Sequence, residues 1–372
     1  MSMSSRVKHR CGDSIPKLWH SSTATTRSGF LPERIVHLHP TRLCNLSCLH
    51  CYSESDPSHK EALDPDVLGA ALGLLRAEGY VLLSLSGGEP LLYPPLRAVV
   101  EQSRELGFRV TMISNGLLAT KRMDSVLSLL DGVAISFDGL AATHNAMRRR
   151  SDAFERACAA VQRIAATGRP VAAAISLTRE AIPELPDLAD HLVSLGVRAL
   201  QVRPVARAGR ARSLADCSFH SSSDYARLYL VVLALQKELS PEVQVHCDLA
   251  PAKGLWQQRD AYSGLLGSCE TVPLEDRPLA DLVNPLVVID TGLLKPIAYD
   301  FDGRFDVASI DGLSSDYLRC YKRQRLPALQ KLIGGALASM QARQGLVDWF
   351  DHCARLSEDC FRMSAPIGSA EL

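Results

Sequence analysis

The sequence predicts an α/β fold: a partial (β/α)6 TIM-like barrel followed by a smaller α+β C-terminal domain. Three observations predict it. Short apolar segments alternate with amphipathic ones about six times, Gly follows several amphipathic segments, and polar motifs follow the apolar ones. Continuous apolar runs are typical of parallel strands buried on both faces. An open doubly wound sheet would have the same periodicity and stays the alternative. Polar motifs at the strand ends suit either architecture, because both build their sites at that edge.

Six short apolar segments are predicted as strands. They are residues 34–40, 81–86, 109–114, 132–138, 170–177 and 199–204. The amphipathic segments between them are predicted as helices, because several begin at Pro or Asp and four are followed by Gly. Their sequences are PDVLGAALGLLRAEG, PLRAVVEQSRELG, TKRMDSVLSLL, DAFERACAAVQRIAATG and ELPDLADHLVSLG.

The pattern divides the chain into three predicted regions. Residues 1–34 are polar, rich in Ser and Thr, and predicted as an N-terminal extension. Residues 35–215 hold the six strand–helix units. Near residue 215 the alternation stops, so residues 216–372 are predicted as the C-terminal domain, with a helix at DYARLYLVVLALQKEL and a hairpin at PLVVIDTGLLKPIA.

Composition limits the classes of partner. Lys and Arg together number 41, as do Asp and Glu, so the net charge is zero and we expect no nucleic-acid partner. No apolar run approaches the roughly 20 residues that span a bilayer, and the N-terminus lacks the apolar core of a secretory signal. We therefore expect a cytoplasmic protein without a membrane partner, whose eleven cysteines are free thiols or metal ligands.

The segment RLCNLSCLHC places Cys44, Cys48 and Cys51 within eight residues. Three cysteines at this spacing can ligate three irons of a cubane cluster and leave the fourth iron without a protein ligand. A zinc site with His50 as fourth ligand is one alternative, although His50 lies between two ligands of a tight loop. A redox pair of Cys48 and Cys51 is another, but it leaves Cys44 unexplained.

A second motif, Gly87-Gly88-Glu89-Pro90, directly follows the second predicted strand. Two glycines allow the backbone to approach a ligand closely. The Glu89 carboxylate can accept hydrogen bonds from an ammonium group, and Pro90 stiffens the turn. Alone, this tetrapeptide could be only a loop. Its position one strand–helix unit after the cysteine motif makes a functional site a much more specific interpretation than a loop.

With these two motifs, residues 35–215 resemble the radical S-adenosylmethionine (SAM) superfamily. In this resemblance CNLSCLHC corresponds to the cluster loop and GGEP to the motif that contacts the SAM amine. The resemblance implies a partial (β/α)6 barrel and a [4Fe-4S] cluster on Cys44, Cys48 and Cys51. It also implies SAM bound to the open iron through its amino and carboxylate groups, and a low-potential electron donor such as flavodoxin or ferredoxin.

The same resemblance implies further cofactor contacts at the strand ends. They are His50 near the adenine, Asn115 of SNG, Ser136 and Asp138 of ISFDG at the ribose or carboxylate, Ser176 at the end of the fifth strand, and Arg148 of THNAMRRR, which resembles an arginine of peptide-modifying members. Arg203 is a candidate for a carboxylate or substrate contact. The alternatives are a packed loop histidine for His50, a plain turn at Asn115, and turn capping by Ser136 and Asp138.

The hairpin VVIDTGLLKP resembles the SPASM or twitch extension of many radical SAM enzymes that act on peptides, which usually binds auxiliary clusters. The family pattern has a cysteine five residues after the hairpin glycine, whereas here Gly292 is followed at that position by Ile297. We therefore expect no auxiliary cluster. The downstream cysteines are predicted as buried apolar side chains, with a degenerate cluster or a hydrogen-donating thiol as alternatives. They are Cys247, Cys269, Cys320, Cys353 and Cys360.

The predicted activity is reductive cleavage of SAM to a 5′-deoxyadenosyl radical that abstracts hydrogen from a substrate carbon. The C-terminal hairpin favours a ribosomally synthesised peptide that is crosslinked, epimerised or similarly modified. A small metabolite, such as a sugar or amino-acid derivative in natural-product biosynthesis, is the alternative substrate. A non-catalytic iron–sulfur electron-transfer protein is the alternative from another functional class.

Overall fold

Six parallel strands lie side by side in the order in which the chain forms them. The computed structural model describes residues 33–118, 121–214, 221–262, 266 and 272–362. The strands are β1 (Ile35–Leu38), β2 (Leu82–Leu85), β3 (Arg109–Ser114), β4 (Gly132–Phe137), β5 (Val171–Leu177) and β6 (Ala199–Pro204). This arrangement confirms the predicted α/β class.

Helices connect the strands as the sequence predicts. They are α1 (Pro65–Ala77), α2 (Leu96–Glu105), α3 (Lys121–Leu127), α4 (Ala141–Arg148), α5 (Ala153–Ala165) and α6 (Leu185–Ser194). Asp64 caps α1, accepting hydrogen bonds from the backbone N–H groups of Asp66 and Val67. The sequence analysis missed α4, a short helix that is followed by Arg149 in a left-handed conformation (φ 55°).

The two faces of the central strands carry different side chains. Large apolar residues on one face pack into the main hydrophobic core, among them Ile135, Phe137 and Ile175. The opposite face carries small residues, and Ala134, Ala172, Ala174 and Ala199 form a separate buried cluster there. Because these side chains are short, space remains on this inner face, where two cavities lie.

C-terminal elements extend the sheet at both edges. After α7 (Ser222–Leu239), β7 (Gln244–Cys247) pairs in parallel with β6. At the other edge β9 (Leu286–Val288) pairs in parallel with β1, and β10 (Leu293–Pro296) and β11 (Ala308–Ser309) continue antiparallel. The predicted hairpin is therefore present, as β9 and β10. Ten of the twelve described strands form one sheet, in which β1 and β6 pair with outer strands.

The remaining elements pack against the inner face and the sheet edge. β8 (Leu249–Pro251) pairs antiparallel with β12 (Leu346–Asp348). The helices are α8 (Ala252–Gln257), α9 (Leu279–Leu282), α10 (Ser315–Gln324), α11 (Leu326–Ser339) and α12 (Trp349–Arg362). None of the described helices has both the length and the apolar character needed to cross a bilayer. The division at residues 34 and 215 stays a prediction, and residues 1–32 lie outside the described part of the chain.

A buried ion pair connects the C-terminal region to the first helix of the barrel. Lys322 on α10 is 2% exposed, and its Nζ lies 2.7 Å from a carboxylate oxygen of Glu78, which follows α1. Lys322 also donates to the carbonyl of Arg277, and the same Glu78 oxygen accepts from the backbone N–H of Leu279. One carboxylate thus connects α1, α9 and α10.

We expect the Lys322→Met substitution to destabilise the protein, because it leaves the Glu78 carboxylate without its cation. Removing one partner of such a pair costs about 2–4 kcal/mol, which should lower the thermal midpoint by several degrees. Differential scanning fluorimetry measures the shift. Lys331→Met, at an exposed position of α11, is the matched control and should leave the midpoint unchanged. Equal midpoints for all three proteins would show that the ion pair does not stabilise this junction.

Candidate functional site

The three motif cysteines lie on one cavity wall. They belong to the loop between β1 and α1, which crosses the carboxyl-terminal edge of the parallel strands. Cys44 and Cys48 are buried, Cys51 is half-buried, and all three are free thiols. They line a cavity of about 210 Å³ together with residues at the carboxyl ends of β2, β3 and β4.

Hydrogen bonds reach the sulfur atoms from neighbouring groups. The backbone N–H of Ser55 donates to Cys51 Sγ at 3.3 Å, and Asn115 Nδ2 lies 3.8 Å from Cys44 Sγ. Burial raises the pKa of Cys44 to about 12 and that of Cys48 to about 11. Iron binding must therefore displace thiol protons, and donors aimed at sulfur stabilise the thiolates that result. The chemistry of this donor set fits an iron–sulfur cluster.

The thiols are not arranged around a single ion. Within the described residues, no three His, Cys, Asp or Glu side chains are grouped so that they could hold one metal ion. The ligands of a cubane cluster, by contrast, each bind a different iron.

Gly87 and Gly88 allow the turn after β2 to pack directly on the cysteine loop. A Cβ atom on Gly88 would lie 2.2 Å from the carbonyl oxygen of Leu43, so no other residue fits there without moving the backbone. The backbone N–H of Gly88 donates to Thr41 O, and that of Glu89 donates to Leu43 O, both at 2.9 Å. Both glycines also line the cavity, so the turn positions the loop and leaves backbone facing the cavity.

The Glu89 carboxylate faces protein donors. It is fully buried, and it accepts hydrogen bonds from Ser114 Oγ and from the backbone N–H groups of Asn115 and Leu91, at 2.9, 2.9 and 3.2 Å. Neither Glu89 nor Pro90, which is also buried, is among the residues that line the cavity. In this structure Glu89 holds the turn after β3 in place, and its contact with a SAM amine stays a prediction.

Asp138, at the end of β4, holds the cysteine loop against the barrel. Its carboxylate lies 2.8 Å from His50 Nε2 and accepts two hydrogen bonds from the Arg148 guanidinium, at 2.6 and 3.0 Å. His50 belongs to the cysteine loop and Arg148 ends α4, so one carboxylate joins three elements. A backbone bond from Leu49 N–H to Met147 O, 2.9 Å long, reinforces the junction.

The charges in this cluster compensate one another. Burial by itself would raise the pKa of Asp138, but Arg148 and His50 outweigh burial and hold that pKa well below its usual range. Burial lowers the pKa of His144 to about 4, and its Nδ1 accepts from the backbone N–H of Asp138 at 3.2 Å. At neutral pH, Asp138 and Arg148 are therefore both ionised and His144 is neutral.

The structure brings most of the predicted cofactor contacts together. The cavity is lined by Cys44, Cys48, His50, Cys51, Gly87, Gly88, Asn115, Ser136, Arg148, Ser176 and Arg203. Asp138 is 1% exposed and lies behind this wall, as do Glu89 and Pro90. The polar residues converge because they follow neighbouring parallel strands, whose carboxyl ends share one edge.

Arg210 is a positioning residue that the sequence analysis missed. It lies on a 3₁₀ helix (Gly209–Ser213) after β6 and donates to the carbonyls of Cys48 and Ser55, at 2.8 and 2.7 Å. Its backbone N–H donates to Cys51 O, and a Cβ on Gly209 would lie 2.4 Å from Tyr52 O. The motif QVRPVARAGRA contains both residues, but nothing in its spacing indicates contact with a loop so far back along the chain.

A second cavity of about 270 Å³ lies further inside the barrel and adjoins the first. The two cavities share Tyr52, Ser86, Ile113, Arg203, Pro204 and Ala206. C-terminal residues close the inner cavity, including Tyr299 after β10 and Asp348 at the end of β12. Of the C-terminal cysteines, Cys247, Cys320 and Cys353 line neither cavity. Cys269 lies outside the described residues, and Cys360 lies in α12.

Comparison with protein families gives an independent result. Residues 38–197 match the model of the Radical SAM superfamily. A GTP 3′,8-cyclase of Chlorobaculum tepidum is 32% identical over 101 residues, which are 26% of this chain and 31% of that protein. The match thus spans less than a third of the relative's length.

Solved structures share the fold over most of the chain. Streptococcus suis SuiB, bound to S-adenosylmethionine, superposes with a TM-score of 0.59 and 13% identity, covering 83% of this chain and 68% of that one. The structure of anSMEcpe, with AdoMet and the Cp18Cys peptide bound, has a TM-score of 0.59 and 16% identity, covering 80% of this chain and 82% of that one. At these identities the likeness is one of fold.

We expect Asp138→Asn to destabilise the protein, because it leaves the buried Arg148 guanidinium without a full negative charge. The expected cost is about 3 kcal/mol, seen as a lower thermal midpoint. Iron retention should fall as well, since the His50 anchor of the cysteine loop is weakened. Asp124→Asn breaks an exposed ion pair with Arg163 and should change neither quantity. An unchanged midpoint in Asp138→Asn would contradict the anchoring role.

Arg210→Ala should loosen the cysteine loop without changing the ligands themselves. We expect iron to be lost to a chelator about tenfold faster than from the unsubstituted protein, a typical effect of changing groups that orient metal ligands. Arg212→Ala is the matched control, because Arg212 lies on the same 3₁₀ helix but pairs with Glu358, at 2.6 Å. Equal rates of iron loss from both variants would exclude a positioning role for Arg210.

Proposed function

We propose that this chain, whose residues 38–197 match the model of the Radical SAM superfamily, is a radical SAM enzyme that modifies a ribosomally synthesised peptide. The cofactors of this family are a [4Fe-4S] cluster and SAM. When bound, they supply an electron and a 5′-deoxyadenosyl radical that abstracts hydrogen from a substrate carbon. The observation that carries the proposal is one cavity wall that joins three thiols, the Gly87–Gly88 backbone and polar ends of four strands.

The proposed cluster ligands are Cys44, Cys48 and Cys51. Their loop is held at three places: by the turn after β2, by the Asp138–His50 contact, and by Arg210. These contacts make the loop a preorganised ligand set, so little further ordering is needed when a cluster binds. Three thiolates leave one iron of a cubane free for a further ligand.

The proposed SAM contacts are the residues that share the cavity with the thiols. Asn115, Ser136 and Ser176 offer hydrogen-bond donors and acceptors, and the Gly87–Gly88 backbone lies open to a ligand. Arg148 lies on the same wall, but Asp138 neutralises its charge. In this proposal Glu89 and Asp138 do not contact SAM. They orient residues that line the cavity: Glu89 orients Asn115, and Asp138 orients His50 and Arg148.

The peptide substrate is supported by two features. The β9–β10 hairpin continues the sheet beside β1, at the position where the sequence resembles an extension of peptide-modifying members. The anSMEcpe structure, which shares the fold, contains a bound peptide. A small-molecule substrate is the second candidate, and the partial relation to a GTP 3′,8-cyclase supports it. A low-potential donor such as flavodoxin or ferredoxin completes the proposed system, and cytoplasmic location stays a prediction.

The test is anaerobic reconstitution followed by incubation with SAM and dithionite. We expect about four irons per chain, as for one cubane cluster, and formation of 5′-deoxyadenosine. Replacing Cys44, Cys48 and Cys51 together with Ala should abolish both, whereas replacing Cys158 and Cys320, which line neither cavity, should abolish neither.

Two outcomes would contradict parts of the proposal. Full iron content in the triple variant would place a cluster elsewhere in the chain. A bound cluster in the unsubstituted protein without any SAM cleavage would favour an electron-transfer protein. Deuterium transfer from labelled candidate substrates into 5′-deoxyadenosine would then separate peptides from small metabolites.

A further inference from the structure

The second, inner cavity adjoins the proposed SAM site. Neither the proposed cluster nor the proposed SAM contacts occupy it. Tyr52, Ser86 and Arg203 line both cavities, so a ligand in the inner one would lie next to SAM. Its volume of about 270 Å³ suits one amino-acid residue or a small metabolite rather than a long peptide segment. The charges on its wall indicate what kind of group it receives.

Carboxylates exceed cations on this wall. Asp248 directly precedes β8 and Asp348 pairs with Leu249, so the two aspartates line the cavity from the same end of the β8–β12 pair. Arg203 is the cationic side chain that lines it with them. Arg203 Nε lies 3.5 Å from Asp248, and Gln201 Nε2 donates to the same carboxylate at 3.3 Å. Arg203 therefore compensates the charge of Asp248. Because Arg203 already has this partner, the carboxylate of a ligand is disfavoured there.

Within the described part of the chain, no such ion pair reaches Asp348. Its Oδ1 accepts from the backbone N–H of Asp351 at 3.1 Å and thereby caps α12. Among the residues that the structure describes, no Lys, Arg or His nitrogen lies within 4 Å of its carboxylate. Burial and the neighbouring Asp351 and Asp248 carboxylates raise the pKa of Asp348 to about 7, although Arg203 opposes this rise from beyond ion-pair distance. A cation in the cavity would relieve this repulsion.

Asp351 is itself compensated from outside the cavity. It lies 3.4 Å from Arg355, which also pairs with Asp300, and Arg355 is not a lining residue. The two other carboxylates on the wall, Asp300 and Glu33, pair with Arg355 and Arg109. Asp348 is thus the lining carboxylate with which no described Lys, Arg or His side chain forms an ion pair.

Aromatic rings form another side of the same cavity. His39 and Tyr299 stack with centroids 5.0 Å apart, and Tyr52 meets Tyr299 edge-on at 5.5 Å. Burial holds the pKa of His39 near 3 and that of His37 near 4, so neither histidine adds positive charge. Aromatic faces attract cations, and this attraction grows where water is excluded.

His39 also keeps a hydrogen-bonding atom for a ligand. The side chain is 4% exposed and lines the cavity. Its Nε2 lies 3.1 Å from Ser86 Oγ, whereas its Nδ1 has no hydrogen-bond partner among the described residues. A buried polar atom without a partner is costly, and a ligand N–H group would satisfy it.

We propose that the inner cavity binds the substrate through a primary ammonium group, which Asp348 and Asp248 hold while His39 and Tyr299 cover its carbon chain. This inference rests on the proposed function and names the chemistry of its substrate. The amine is either a lysine side chain of a peptide or the amino group of a small metabolite. The carbon chain then runs past Tyr52 and Arg203 toward the SAM site.

The test measures binding without turnover, by equilibrium dialysis of the anaerobically reconstituted protein with SAM. The two ammonium probes are n-butylamine, for a free amine, and N-acetyl-lysine N-methylamide, for a peptide residue. The matched neutral probes are n-butanol and N-acetyl-norleucine N-methylamide, and butyrate carries the opposite charge. We expect at least one ammonium probe to bind about tenfold more tightly than its neutral analogue. The preferred ammonium probe identifies the source of the amine.

Variants attribute the preference to Asp348. Asp348→Asn should weaken ammonium binding about tenfold, and Asp348→Glu should restore most of it. Asp187→Asn, at an exposed position in the first turn of α6, should have no effect. Circular dichroism verifies that each variant is folded.

Three results would overturn the inference. They are equal or tighter binding of the neutral probes or butyrate, an undiminished affinity in Asp348→Asn, and loss of binding in a folded Asp348→Glu. SAM cleavage is scored separately. Cleavage without ammonium selectivity refutes only the inference, and ammonium selectivity without cleavage refutes only the proposed enzyme activity.

Discussion

The site depends on one buried ion pair, between Asp138 and Arg148. Two hydrogen bonds join the two side chains, and both are almost fully removed from solvent. Breaking such a pair from one side is expensive, since the remaining charge stays buried. His50 contacts the same carboxylate, so the ion pair also stabilises the loop that carries the three cysteines. Without it, the loop would keep its backbone bonds to the turn after β2 and to Met147 of α4 but lose its side-chain connection to β4.

Small residues at a few positions make the rest of the site possible. Gly88 and Gly209 allow two turns, from distant parts of the chain, to pack on the backbone of the cysteine loop. Alanines on the inner face of β4, β5 and β6 leave room in the barrel. Polar and aromatic groups from β1, β6 and the C-terminal region then line that room. The loop is therefore rigid where it would hold a cluster, and the cavity beside it is open where a substrate would bind.

The C-terminal region contributes to the site through its packing. Its strands join the parallel sheet at both edges, and Lys322 connects α10 to Glu78. This packing brings Tyr299 and Asp348 to the inner cavity. Ile297, which stands where the resembled extension has a cysteine, adopts a left-handed backbone (φ 68°) on the same wall. Such a conformation is unfavourable for a β-branched residue, and the bond from its N–H to Pro285 O helps to hold it. The C-terminal region thus forms part of the wall of the inner cavity, through the side chains of Ile297, Tyr299 and Asp348.

The sequence by itself determined the α/β class, the six strands and the convergence of the polar motifs, because the carboxyl ends of parallel strands must share one edge. It also identified most residues of the cavity wall, including Cys44, Asn115 and Ser176. Only the tertiary structure decided which polar groups face the cavity and which face protein. Glu89 and Asp138 are buried behind the wall because donors close in space, several of them distant in sequence, bind their oxygens. Arg210 and Asp348 were missed for a related reason: Arg210 contacts the cysteine loop and Asp348 lies near Asp248, both far away along the chain, and spacing in the sequence carries no record of such proximity.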